Sequence, residues 1–89
     1  MPAVQLLIKG RVQGVYYRAS AKDKADELGV TGWVRNTRDG DVELLAVGSQ
    51  DRIEAMIRWC HIGPPASKVT AVEVRSLPEQ ACDGFSVLR

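Results

Sequence analysis

The segment Gly10-Arg11-Val12-Gln13-Gly14-Val15-Tyr16-Tyr17-Arg18 holds two glycines and ends on an arginine where a helical pattern begins. Those residue types in that order can bind an anion. The first turn of a helix carries N–H groups without intrahelical partners and a partial positive charge. A glycine-containing loop in front of it can curl so that successive N–H groups converge on one centre. An arginine in the first helical turn faces the positive end of the helix dipole, which disfavours it unless an anion lies between the two. Its planar fork can grip two phosphate oxygens at once. The plainer reading is that Gly10 and Gly14 only turn the chain and that Arg18 is a surface residue. A loop with two glycines does not decide between these readings. The glycine spacing is not that of a dinucleotide-binding fingerprint, and the Gly-Lys-Ser/Thr ending of a P-loop is absent.

A second segment, Gly32-Trp33-Val34-Arg35-Asn36-Thr37-Arg38-Asp39-Gly40-Asp41-Val42, places Asn36 at the end of an alternating run. Asparagine at a strand end often serves the turn by bonding nearby backbone. Its neutral amide can also accept from and donate to a water, orienting a nucleophile without being a strong base. Arg35 and Arg38 flank it, either raising the local potential for an anion or standing as solvated hairpin charges. The two cysteines, Cys60 and Cys82, and the one histidine, His61, offer less. Two distant thiols make neither a disulfide framework nor a zinc site, which normally needs four ligands. Cys60 and His61 are neighbours, so on a helix their side chains diverge by about 100°. They read as a buried helix cysteine beside a surface histidine rather than a catalytic pair.

Periodicity supplies the elements that must position these groups. Val4 to Lys9 alternates, with Val4, Leu6 and Ile8 on one face, and predicts a strand that Gly10 ends. From about Tyr17 the period becomes helical, with Tyr17, Ala21, Ala25 and Leu28 on one face and Gly29 as terminator. Val30–Asn36 and Val42–Val47 read as two further strands, joined by a hairpin around Asp39-Gly40. Gly48-Ser49-Gln50-Asp51 offers helix-capping oxygens, and Asp51 with Glu54 has capping-box spacing. Ile53, Met56, Ile57 and Cys60 then repeat at i, i+3, i+4, i+7, until Gly63-Pro64-Pro65 stops the helix. Trp59 falls off that apolar face, to pack at its rim or to mark a contact surface, local packing being the commoner case. Lys68–Leu77 predicts a fourth strand, Pro78–Gly84 a loop and Phe85–Leu88 a short terminal strand.

The order β-α-β-β-α-β with a short tail implies an α+β, ferredoxin-like two-layer sandwich. Its two helices cover one face of a mainly antiparallel sheet, in a single domain over residues 1–89. This architecture hosts electron carriers, RNA binders, metal chaperones and enzymes, so function has to come from a site.

Gly-Arg-Val-Gln-Gly-Val-x-Tyr-Arg at 10–18, Gly-Trp-Val-Arg-Asn-x-x-x-Gly-x-Val at 32–42 and Gly48 closely resemble both signature motifs of the acylphosphatase family. Gly63-Pro64-Pro65-Ala66 with Val69, and Phe85-Ser86-Val87, look like that family too, so the resemblance runs through nearly the whole chain in order. The resemblance implies hydrolysis of the carboxyl–phosphate bond of a small acyl phosphate, with no metal and no cofactor. It implies that the backbone of the loop, with Gln13, Gly14, Val15, Tyr16 and Tyr17, cradles the phosphoryl group. Arg18 matches the family's phosphate-binding catalytic arginine, and Asn36 the asparagine that positions the attacking water. Tyr16 stands where the family varies, so it bears on packing or substrate access more than on chemistry.

Other readings weigh less. An RNA-recognition domain on this fold needs exposed aromatics on its central strands, and Val4–Lys9 and Val42–Val47 have none. A non-catalytic regulatory module of the same architecture is disfavoured by the presence of both Arg18 and Asn36. The net charge of +1 sets up no global field toward nucleic acid or an acidic membrane, so an anion site must be local. No apolar run is long enough to span a bilayer, and Met1-Pro2-Ala3-Val4-Gln5 lacks the layout of a secretory signal. A cytoplasmic monomer without nucleic-acid or membrane partners is the expectation.

Overall fold

The computed structural model describes residues 1–89 as a five-stranded sheet with two helices on one face. In chain order the elements are β1 (Ala3–Arg11), α1 (Tyr17–Leu28), β2 (Thr31–Asn36), β3 (Val42–Val47), α2 (Gln50–Ile62), β4 (Lys68–Leu77) and β5 (Phe85–Val87). The strands lie in the order β4-β1-β3-β2-β5. β3 runs antiparallel to both β1 and β2, and β4 runs antiparallel to β1. β5 pairs with β2 in parallel, so the sheet is mixed. This is the ferredoxin-like sandwich that the periodicity predicts.

The alternation in β1 and β3 turns Leu6, Ile8, Val42, Leu44 and Ala46 toward the helices, where they are fully buried with Val34 of β2. Tyr17, Ala21 and Ala25 of α1 and Met56 and Cys60 of α2 close this core from above. Alanines let α1 lie close to the sheet, and Tyr17 supplies most of its buried volume. The opposite sheet face carries a smaller cluster of Ala3, Leu45 and Val47, packed with Trp33, Leu77 and Cys82. Cys60 and Cys82 therefore belong to cores on opposite faces of the sheet, which rules out a bond between them in this fold.

Local chemistry explains where the elements stop. α1 ends in a Schellman motif: Gly29 is left-handed (φ 74°), its N–H donates to Asp26 O, and Val30 N–H donates to Ala25 O at 2.8 Å. Strand pairing accordingly starts at Thr31, one residue after the expected Val30. Gly10 does not end β1. The strand continues to Arg11 opposite a bulge in β4: Lys9 pairs with Ala71 and Gly10 with Val69, which leaves Thr70 as the extra residue, and Gly10 faces it at φ 123°. The expected capping box is not formed either. Ser49, extended at φ −64° and ψ 157°, is the N-cap of α2, and Ile53 N–H donates to Ser49 O at 3.0 Å, so Asp51 already lies inside the helix.

Candidate functional site

The connection from β1 to α1 and the end of β2 meet at one open cavity of about 410 Å³. Val12, Gly14 and Tyr16 of the connection, Tyr17, Arg18 and Ala19 of α1, Asn36 of β2 and Val87 of β5 line it. The sheet order explains the meeting. β1 and β2 both pair with β3 and run the same way, so the crossover through α1 begins near the strand end where Asn36 stands.

The loop is built to leave its donors open. Gly14 (φ 73°) and Tyr16 (φ 64°, ψ 22°) are both left-handed, and Tyr16 is the one non-glycine residue in that region. For a side chain with a Cβ this costs about 1–2 kcal/mol. Tyr16 is the N-cap residue of α1 but offers no capping side-chain bond, and the first turn contains no acidic residue. The N–H groups of Gln13, Gly14, Val15 and Tyr16 donate to no backbone acceptor. Those of Tyr17, Arg18 and Ala19 precede the first helical bond, Ser20 N–H to Tyr16 O at 3.0 Å. Unsatisfied donors at a helix start, with no carboxylate to occupy them, have the chemistry to bind an anion.

Arg18 is half-buried beside this loop. Its Nη1 donates to the Leu88 carbonyl oxygen at 2.8 Å, and no carboxylate pairs with it. Asn36 Oδ1 is buried and has no hydrogen-bond partner within the chain. An unpartnered buried oxygen at a cavity wall is costly unless something in the cavity donates to it. The wall itself contains no carboxylate, histidine or thiol, and nowhere do three or more His, Cys, Asp or Glu side chains gather to hold a metal.

Of the residues expected at the site, Arg18, Asn36, Gly14, Tyr16 and Tyr17 line the cavity, and Gln13 and Val15 do not. Val15 packs against the main core. The Gln13 side chain turns away and fastens the loop to the β2–β3 hairpin, with Nε2 donating to Thr37 O and to Asp41 O at 2.8 Å each. This structural role carries no sequence signal beyond the amide's two donors. Tyr17 is buried, with its hydroxyl donating to the Cys60 carbonyl at 2.8 Å and its ring 5.3 Å from that of Trp59. Desolvation holds the Tyr17 hydroxyl neutral by pushing its pKa above the ordinary value, which keeps it in its anchoring role. Arg35 faces the other side of the sheet, paired with Glu43 at 2.6 Å and lying 5.3 Å over Trp33, so it does not reach the cavity. Sequence reasoning missed Val87 and the Leu88 carbonyl, because nothing local announces that β5 returns to lie beside β2.

Comparison with known proteins places this arrangement. The family model described as Acylphosphatase matches residues 4–87. An acylphosphatase of Methylococcus capsulatus is 53% identical over 93 residues, covering 100% of this chain and 98% of its own. The crystal structure of acylphosphatase from Bacillus subtilis superposes with a TM-score of 0.96 at 33% identity and covers 100% of both chains. The structure of an acylphosphatase from Coxiella burnetii gives 0.94 at 38% identity, over 98% of this chain and 92% of that one.

Proposed function

The chain belongs to the acylphosphatase family, and from that premise we propose that it hydrolyses acyl phosphates to a carboxylate and inorganic phosphate, as a single domain acting alone. One observation carries the reading: Arg18 and Asn36, from different elements, line a single cavity with a loop whose N–H groups have no partner. The N–H groups of residues 13–19 and the Arg18 guanidinium hold the phosphoryl oxygens. Asn36 accepts a hydrogen bond from the attacking water through its otherwise unpartnered Oδ1.

The water oxygen attacks phosphorus as the bond from phosphorus to the carboxyl oxygen breaks. The carboxylate leaves with the electron pair. A carboxylate is a weak base, with model values near ~4, and departs without protonation at neutral pH. This fits a cavity wall without a general acid. The proton lost by water goes to a phosphoryl oxygen of the substrate, since no side chain on the wall is a base of useful strength. Charge in such a transfer spreads over the equatorial oxygens, so preorganised donors supply most of the catalysis.

Phosphate release from acetyl phosphate and benzoyl phosphate, with and without a chelator, tests the proposal. Release that the chelator leaves unchanged is expected. No release above the spontaneous rate overturns it. A pH–rate profile controlled by an enzyme carboxylate or histidine would remove the substrate-as-base step.

A further inference from the structure

The phosphoryl site leaves the other half of the substrate unassigned, and the surface beside it is apolar. Six large hydrophobic side chains are exposed in this chain: Met1, Tyr16, Ile62, Val74, Val87 and Leu88. Tyr16 (82% exposed) and Val87 (42%) line the same cavity as Arg18 and Asn36. Leu88 (39%) follows Val87 and supplies the carbonyl that holds Arg18. Half of the exposed apolar side chains are thus gathered at one place from two distant parts of the chain. Apolar surface concentrated beside a polar site marks a ligand-binding wall.

Tyr16 is kept there against its backbone preference. At φ 64° the position favours glycine. The Tyr16 side chain makes no hydrogen bond within the chain and stacks on no other ring, since the one aromatic pair is Tyr17 with Trp59. It does not serve the core. Strain at a non-glycine residue beside a site points to use of the side chain in function.

Building on the acyl-phosphate reading, we infer that Tyr16 and Val87 form the platform that receives the acyl group, so that the Tyr16 side chain sets how strongly a flat, apolar acyl group is favoured over a small one. The phosphoryl end is fixed by Arg18 and the loop, so the acyl end extends toward the cavity mouth where these two side chains stand. Arg18, already engaged by the phosphoryl group, is the one charged residue on the wall. An acetyl group is too small to cover the tyrosine ring.

The test is the quotient of kcat/KM for benzoyl phosphate over that for acetyl phosphate, in the wild-type protein and in Tyr16→Ala. Both substrates share the phosphoryl end, so damage to phosphate handling cancels in the quotient. An aromatic contact of ordinary strength predicts a fall of about fivefold to tenfold. Tyr16→Gly makes the same measurement in a backbone that accepts the left-handed conformation, which covers a failure of the alanine variant to fold. Tyr16→Phe keeps the quotient. An unchanged quotient in the alanine and glycine variants, with both substrates turned over, overturns the platform and leaves the hydrolase intact. A wild-type protein that hydrolyses neither substrate overturns the hydrolase reading. A binding arm then still decides the platform: phenylphosphonate should bind more tightly than methylphosphonate, with a preference that Tyr16→Ala removes. Equal preferences in wild type and variant count against it.

Discussion

Arg18 Nη1 donates to the carbonyl oxygen of Leu88, 70 residues away in sequence, at 2.8 Å. The acceptor is held in turn by pairing, since Leu88 N–H donates to Val34 O at 2.8 Å and β5 lies parallel to β2. One arm of the guanidinium is therefore fixed by the sheet edge. A pre-positioned cation loses less side-chain freedom on binding phosphate than a mobile one.

Replacing Arg18 should remove both charge and geometry. Loss of one transition-state donor typically lowers turnover by about 10²–10³, and Arg18→Ala is expected at or beyond the upper end, with weaker inhibition by inorganic phosphate. Arg18→Lys restores a point charge but cannot hold the Leu88 carbonyl and grip two phosphoryl oxygens together. Its kcat/KM should stay well below wild type. Steady-state kinetics with benzoyl phosphate decide this, and a lysine variant at wild-type activity would refute the fork.

Asn36 offers a contrast between activity and stability. Its Oδ1 makes no bond that holds the fold together, so Asn36→Ala should leave the unfolding free energy from urea titration within about 0.5 kcal/mol of wild type, the usual range for a change that breaks no packing or bond. Turnover should drop by about 10²-fold or more, because the attacking water loses its guide, while the inhibition constant for phosphate stays close to wild type. Equal losses in turnover and stability would mean that Asn36 is a turn residue only.

These two residues differ in how far the sequence alone discloses them. The alternation of Val4, Leu6 and Ile8 and the i, i+3, i+4, i+7 spacing of Ile53, Met56, Ile57 and Cys60 report burial directly, because each element buries one face. Glycine is less readable. Gly10 interrupts the pattern, yet β1 continues through it, and the extra residue of the bulge is Thr70 on the partner strand β4. The roles of Arg18 and Asn36 rest on motif resemblance, since an arginine after two glycines and an asparagine at a strand end also occur without function. The contributions of Val87 and Leu88 are not local properties at all. Parallel pairing of β5 with β2 depends on the whole chain closing on itself, and no turn residue signals it.

Gln13 should prove to be a tether. Its Nε2 reaches two carbonyls of the hairpin that follows Asn36, Thr37 O and Asp41 O. Gln13→Glu replaces a donor by an acceptor facing two acceptors, and the unsatisfied contacts should cost about 1–3 kcal/mol. Gln13→Ala should cost less, near ~1 kcal/mol. Both should lower kcat/KM as the loop and Asn36 lose their common frame, with glutamate the worse. Urea titration beside benzoyl phosphate kinetics reads both effects, and a glutamate variant as stable as wild type would remove the tether.

Alkaline pH should weaken the fold through the pair that anchors α1 to α2. Burial pushes the Cys60 thiol from its ordinary 9.0 up to about 12, and burial also raises the Tyr17 hydroxyl above its ordinary 10.0. Both groups are acids held neutral in the folded state and free to ionise in the unfolded chain. Each folded value lies above its unfolded value, so the stability tied to the neutral form is fully present below about pH 9. It declines as pH rises, first through the thiol and then through the hydroxyl, because the unfolded chain sheds protons that the folded chain keeps. Each group contributes a slope of at most ~1.4 kcal/mol per pH unit within its window. Urea midpoints at about pH 7, 9, 10 and 11 should therefore be level over the first interval and fall afterwards. Cys60→Ala should start from a lower midpoint, since it leaves a small cavity, but should decline less between about pH 9 and 10. Identical slopes in the two proteins would show that Cys60 ionisation carries none of the alkaline transition.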